Sequence, residues 1–181
     1  MEFMTIKGQF PRLKGSAVTL GKFDGVHKGH RKLIDKIIQN KKETGTTAVV
    51  LAFVSDRKTI FTKAERRELL EDMGVDLLLE CPLDSQIKHM KAVGALQASY
   101  VAVGEDFRFG FERKGTPELL VRAGNGYGFK TDILPKEMDG TRKISSTYIR
   151  EELARGNMEK VTALLGHDYF VSGIVEHGRG M

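Results

Sequence analysis

Two histidines three positions apart, His27 and His30, sit in the stretch Gly21-Lys22-Phe23-Asp24-Gly25-Val26-His27-Lys28-Gly29-His30. Gly21, Gly25 and Gly29 let the backbone turn tightly and approach a ligand without interference from a Cβ. The run that follows carries Leu33, Ile34, Ile37 and Ile38 at helical spacing, so one imidazole falls in the loop and the other near the first helical turn. Unpaired N–H groups and the positive end of a helix dipole favour an anion there, and each imidazole adds a hydrogen-bond donor. The chemistry in view is phosphate binding. Two surface histidines beside a capped helix are the plainer alternative, but Ser or Asp would cap as well and the pairing would then have no purpose. Metal binding by His27 and His30 needs a third ligand, which the sequence does not nominate.

The elements that must position this loop alternate along the chain. Ala17 to Leu20 reads as a strand feeding the loop, and the almost continuous apolar, β-branched run 46–53 reads as a second strand buried on both faces. Thr62 and Glu65 fit a capping box, opening a helix that carries Leu69, Leu70 and Met73 and stops at Gly74. A third strand is expected over 75–80, a helix interrupted by Gly94 over 84–96, and a fourth strand over 99–103. Next comes a second glycine-bounded loop, Gly104-Glu105-Asp106-Phe107-Arg108-Phe109-Gly110. Thr116-Pro117 marks an N-cap with proline at the first helical position, and the glycines from Gly124 to Gly128 end that helix. A fifth strand over 129–134 leads into a polar connection. Ile144-Ser145-Ser146-Thr147 then supplies hydroxyls at the head of a helix running through Ile149, Arg150 and Leu153 to Gly156, and a last helix covers 158–165. Residues 169–175 read as a further strand, whereas Met1-Glu2-Phe3-Met4 holds two possible starts and is set aside as leader.

This alternation without repeats predicts an α/β fold around a doubly wound parallel sheet of five strands in the order 3-2-1-4-5. Ligands bind such sheets beyond the carboxyl ends of the strands, where the order reverses. That places the loop with His27 and His30 beside the loop with Asp106 and Arg108.

Composition narrows the partners. With 181 residues and 40% hydrophobic content the chain supports one domain. No run approaches the roughly 18 apolar residues of a membrane span, and no secretory signal is visible, so a cytoplasmic protein without a membrane partner is expected. Cys81 is the single cysteine and reads as a buried bystander. A net charge of +5 and a pI near 9.3 suit a polyanion. The basic residues Lys22, Lys28, Arg31, Lys32, Arg108, Arg113, Lys114, Arg142, Lys143 and Arg150 are spread over loops and helix starts, which favours a small phosphorylated ligand over a nucleic-acid groove. Neither a Walker loop nor a dinucleotide glycine fingerprint occurs, and His89, His167 and His177 stand alone.

Three motifs in this order, Gly21-Xaa-Phe23-Asp24-Gly25-Xaa-His27-Xaa-Gly29-His30, Val103-Gly104-Xaa-Asp106-Phe107-Arg108-Phe109-Gly110 and Ile144-Ser145-Ser146-Thr147-Xaa-Ile149-Arg150, resemble the adenylyltransferase module of bacterial bifunctional riboflavin kinase/FAD synthetases. That module belongs to the HxGH nucleotidyltransferase superfamily, and the resemblance covers 18–166. It implies a Rossmann-like fold and the transfer of AMP from ATP to FMN, giving FAD and pyrophosphate, with Mg2+ held mainly by the ATP phosphates. His27 and His30 would contact the triphosphate and Arg150 would clamp the charge developing on pyrophosphate, as the catalytic groups. Gly21, Phe23, Asp24, Gly25, Gly29, Gly104, Asp106, Arg113, Ser145, Ser146 and Thr147 would bind the nucleotide.

Read without the resemblance, Ser145 is an ordinary N-cap, Asp106 a carboxylate bracing its own loop, and Arg113 a solvated arginine. Phe107 and Phe109 anchor that loop in the core. Residues 1–166 are expected to form the adenylyltransferase-like domain and 167–181 to resemble the start of the family's kinase module, so riboflavin phosphorylation is not expected. Two departures bear on the acceptor. The family's Phe-x-Pro-x-Pro pattern after the second strand is replaced by Phe53-Val54-Ser55-Asp56-Arg57, and the segment between the third and fourth strands is shorter and lacks the usual Leu-Ser. A nucleotidyltransferase for another phosphorylated acceptor, or a non-catalytic flavin- or nucleotide-binding module, therefore stands beside the FMN reading. ATP and FMN are the expected partners, nucleic acid is not, and the oligomeric state is open.

Overall fold

A computed structural model describes residues 1–6, 8–54, 58–82, 89–175 and 178, the side chains of 89–91 and 111 apart. The elements in chain order are β1 (Glu2–Thr5), β2 (Ser16–Gly21), α1 (Lys28–Thr44), β3 (Thr47–Val54), α2 (Lys63–Asp72), β4 (Leu77–Pro82), α3 (His89–Ala95), β5 (Ala98–Gly104), α4 (Pro117–Tyr127), β6 (Lys130–Leu134), β7 (Met138–Asp139), β8 (Arg142–Lys143), α5 (Ser146–Ala154) and α6 (Met158–Leu165). One parallel sheet of six strands runs β1-β4-β3-β2-β5-β6. The five strands from β4 to β6 have the expected order, and the switch point lies between β2 and β5, with Val18 opposite Val101.

The sixth strand corrects the expectation that Met1 to Met4 stand outside the fold. Glu2 lies opposite Leu77 and Thr5 opposite Glu80 on the free edge of β4, extended by Ile6 N–H donating to the Glu80 carbonyl at 2.8 Å. All four residues of β1 are exposed, so no buried face imposes the alternation by which a strand is recognised in sequence. Residues 169–175 form no strand either. The Tyr169 and Phe170 rings lie 5.4 and 5.1 Å from that of Phe61, and Val171, Ile174 and Val175 face solvent. The polar connection before α5 contains the small β7–β8 hairpin. Of the helix expected over 84–96, α3 accounts for 89–95, and 83–88 lie outside the described residues.

Alternating strand residues feed two cores. Val18, Leu20, Val49, Leu51, Val101 and Val103 meet Leu96, Leu120 and Phe129 on one face, while Ala17, Ala48, Val50, Leu78 and Ala102 meet Leu33, Ile34, Ile37 and Leu70 on the other. A third cluster of Ile60, Phe61, Ile144, Tyr148, Ile149, Val161, Leu164 and Leu165 docks α5 and α6 beside the mouth of the sheet. The Thr62–Glu65 capping box forms, with Thr62 Oγ1 accepting from Glu65 N–H and the Glu65 carboxylate accepting from Thr62 N–H at 2.7 Å. Across α2 and β4 the buried Glu80 carboxylate pairs with Arg66, itself buried, and with Arg67 at 3.1 Å. Among the described residues no helix is long and apolar enough to cross a membrane.

Candidate functional site

Between β2 and α1 the backbone takes the left-handed region at Phe23 (φ +48°), Gly25 (φ +86°) and Val26 (φ +44°). Such a conformation costs on the order of 1 kcal/mol or more for a side-chain-bearing residue, and the complete burial of the Phe23 and Val26 side chains holds it in place. At Gly25 a Cβ would lie 2.8 Å from Ile60 Cδ1, so no larger residue fits without displacement. Asp24 secures the loop from outside. One carboxylate oxygen accepts from Ile60 N–H at 2.8 Å, the other pairs with Arg150, and the Asp24 carbonyl accepts from Ser146 Oγ at 2.8 Å. The third motif is thereby fastened to the first.

His27 is the N-cap of α1, yet its side chain makes no capping bond, and the first turn contains no acidic residue. The start of this 17-residue helix therefore has neither a side-chain cap from His27 nor an acidic side chain in its first turn to offset the positive end of its dipole. The His27 and His30 rings stack with centroids 3.8 Å apart, and Phe23 packs 5.0 Å from His30. Each ring has a buried Nδ1 without a hydrogen-bond partner among the described residues. Burial, followed by the nearby Lys143 charge, pushes His27 down to about 4. Burial, then His27 and Lys143, sets His30 well below the ordinary imidazole value. Both rings are neutral donors at pH 7.

A stability prediction arises here. The folded pKa of His27 lies below its unfolded value of about 6.5, so between these two the unfolded chain takes up the proton first. Folding free energy is fully present above pH 6.5 and falls toward pH 4, by about 3 kcal/mol from His27 alone. Urea unfolding across this range checks it; His27→Gln should make the profile shallower, leaving the share that His30 contributes in the same direction, and an equally steep variant would remove His27 as a source.

The second loop leaves β5 at Gly104, and Asp106 pairs with Lys143 of β8. Burial works against the Asp106 carboxylate, but the hydrogen bond and charge of Lys143, with Lys136 behind, hold it below the usual carboxylate range. Arg108 donates to the Phe107 carbonyl at 2.7 Å and braces its own loop. The Phe107 and Phe109 rings are 5.8 Å apart, with Phe109 buried in the core. Arg113, at φ +58° on the single turn Phe111–Arg113, is exposed, and its side chain makes no ion pair among the described residues.

At the third motif, Ser145 Oγ accepts from Tyr148 N–H at 3.3 Å as the N-cap of α5, and Thr147 is exposed. Arg150 thus reaches the site through Asp24. Gly21 and Gly29 lie against aromatic rings, since a Cβ would fall 3.2 Å from the Phe23 ring and 3.3 Å from His27 Cε1 respectively. Sequence reasoning left two participants out. Ile60 supplies a backbone donor, which no side-chain pattern announces. Lys143, read in sequence only as one of the dispersed basic residues, pairs with Asp106 in the second loop, and its charge bears on His27 and His30 in the first; its position directly before Ile144-Ser145-Ser146 was the available signal. Among the described residues no group of three or more His, Cys, Asp or Glu side chains is arranged to hold a metal ion, and Asp24 and Asp106 each face a basic partner.

A family model described as FAD synthetase matches residues 9–148. The chain is 34% identical over 183 residues to the bifunctional riboflavin kinase/FMN adenylyltransferase of Escherichia coli (strain K12), covering 91% of this chain and 58% of that protein. With the protein of the same description from Pseudomonas fluorescens it shares 29% over 187 residues, covering 93% and 60%. The chain therefore spans somewhat less than two thirds of the length of these relatives. Among solved structures, one described as a macrolide-efflux protein from Streptococcus pneumoniae superposes with a TM-score of 0.79 at 28% identity, over 93% of this chain and 72% of that one. Thermotoga maritima TmcAL bound with alpha-thio ATP gives 0.54 at 16% identity, over 83% and 53%, a likeness of fold alone.

Proposed function

Since the chain belongs to the FAD synthetase family, we propose that it transfers AMP from ATP to FMN, giving FAD and pyrophosphate. The observation that carries this reading is the pair of stacked, neutral imidazoles over the uncapped N-terminus of α1, at the switch point of the sheet. An FMN phosphate oxygen attacks the α-phosphorus of ATP in line. The bond to the bridging oxygen of the β-phosphate breaks, and its electron pair leaves with pyrophosphate. No protein nucleophile is required. His27, His30 and the first N–H groups of α1 donate to the oxygens on which negative charge grows.

Ser145, Ser146 and Thr147, with the N-terminus of α5, receive the β- and γ-phosphates, and Arg150, held by Asp24, faces the departing charge. Gly21, Gly25, Gly29 and Gly104 allow close backbone approach, Phe23 fixes the loop, and Asp106 and Arg113 flank the nucleotide. Magnesium would enter with the triphosphate as part of the substrate, neutralising phosphate charge; the described side chains supply no cage of their own. Residues 1–166 act as the transfer domain and 167–181 resemble the start of the family's kinase module, in a cytoplasmic setting.

Incubation with ATP, magnesium and FMN should yield FAD and pyrophosphate in equal amounts. Phe53-Val54, without the family's prolines, favours one second reading, a different phosphorylated acceptor; Ser55, Asp56 and Arg57 lie outside the described residues. A panel of phosphorylated acceptors separates the two, and turnover with another acceptor but none with FMN overturns the first. Tight binding of ATP and FMN without any turnover would instead mark a binding module.

A further inference from the structure

The peptide between Gly25 and Val26 joins two residues in the left-handed region, at φ +86° and +44°. For β-branched Val26 this is strained, and rotation of that one peptide plane relieves it. Buried side chains fix the path of the chain here; the facing of the peptide is set by what its carbonyl meets. The Gly25 carbonyl meets the half-buried His167, whose Nε2 lies 3.3 Å away and whose Nδ1 lies 2.9 Å from the Asp168 carbonyl. A carbonyl only accepts, so the Gly25 contact requires a proton on Nε2, and a ring with protons on both nitrogens serves the two carbonyls at once.

His167 is itself held from both sides. Before it, Gly166 closes α6 as a left-handed C-cap, donating to the Thr162 carbonyl at 2.9 Å, and a Cβ on Gly25 would lie 3.5 Å from Leu165 Cδ2 of the same turn. After it, Ser172 N–H donates at 2.6 Å to Glu65, the carboxylate that also closes the capping box of α2. The His167 ring lies 5.6 Å from that of Phe61, in the aromatic group that includes Tyr169 and Phe170.

We propose that His167 is a positioning residue for the first loop: its Nε2 proton pins the Gly25–Val26 peptide, and with it the turn that delivers His27 to the head of α1. This rests on the reading of that loop as the ATP site and adds to it a side chain from outside the three motifs, 142 positions from Gly25. His167 acts only through the Gly25 carbonyl. A stretch whose sequence resembles the next module thus braces the transfer site, and displacing it loosens the loop.

Three replacements separate the two ring nitrogens. Gln carries its amide N–H where Nε2 lies, Asn where Nδ1 lies, and Phe keeps a ring against Phe61 without a donor. In the whole chain labelled with carbon-13, the Gly25 carbonyl resonance should move upfield with His167→Phe and His167→Asn, as its hydrogen bond is lost, and stay in place with His167→Gln. FAD formation should follow the same order, with kcat about tenfold lower for His167→Phe and His167→Asn, recovered by His167→Gln, and KM for FMN unchanged throughout. An unmoved Gly25 resonance in His167→Phe, recovery by Asn or Phe in place of Gln, or a resonance that moves while kcat does not would overturn the assignment. If the unaltered chain makes no FAD, the transfer reading fails, and the Gly25 resonance alone then decides whether His167 pins the loop.

Discussion

Replacing His30 with alanine is expected to slow adenylyl transfer roughly 100- to 1000-fold, about 3–4 kcal/mol of transition-state stabilisation. His30 sits in the first turn of α1 with its ring between those of His27 and Phe23, so its donor is aimed by packing before any ligand arrives. A preorganised donor of this kind acts most strongly as charge builds on the phosphoryl oxygens, and its loss should fall on kcat more than on KM for ATP. Single-turnover FAD formation measures this directly. His27→Ala should behave similarly, and the double variant should lose less than the product of the two, because the stacked rings serve one charge. A loss below about fivefold for His30→Ala, in a protein that still unfolds cooperatively, would remove the imidazole from the chemistry.

Glu80→Ala is expected to cost about 3–5 kcal/mol of folding stability. The Glu80 side chain is 2% exposed and that of Arg66 is 7% exposed, so removal of the carboxylate strands a guanidinium in the interior. Arg67, more exposed, can turn to solvent. Glu80→Met combined with Arg66→Met should recover most of the loss, since an apolar pair of similar volume leaves no buried charge unmatched. Chemical denaturation of the two variants decides. If the single variant loses under 1 kcal/mol, the pair is better hydrated than its burial indicates.

How much of this was legible depended on whether local chemistry or a distant partner made the element. Thr62 with Glu65 and Thr116 with Pro117 announce their helices because the capping groups lie within one turn. Leu33, Ile34 and Ile37 announce α1 because one face of it is buried. The inner strand order followed from the same alternation. β1 was illegible because its reason for existing is the edge of β4, far along the chain, and none of its side chains is buried. The reverse holds for 169–175, whose β-branched content suits a strand but which pairs with no strand among the described residues.

In the site, the three motifs could be read from residue types, but their mutual bonds could not. Nothing in the spacing says that Asp24 takes the Ile60 N–H and the Arg150 guanidinium together. Lys143 likewise gains its place from a hairpin only two residues long on each side, too short to leave a periodic signal.

The single ladder between β2 and β5 also orders events in time. β2 pairs with β3 and β3 with β4 across one helix each, as β5 does with β6, so each of these contacts closes a short length of chain. Joining the two halves means bringing Val18 to Val101, a far longer closure and a slower contact during folding. A triphosphate bound across that seam would grip both halves at the contact that closes the longest stretch of chain. The substrate would then act as a clamp on the unfolding barrier as well as on the reaction coordinate.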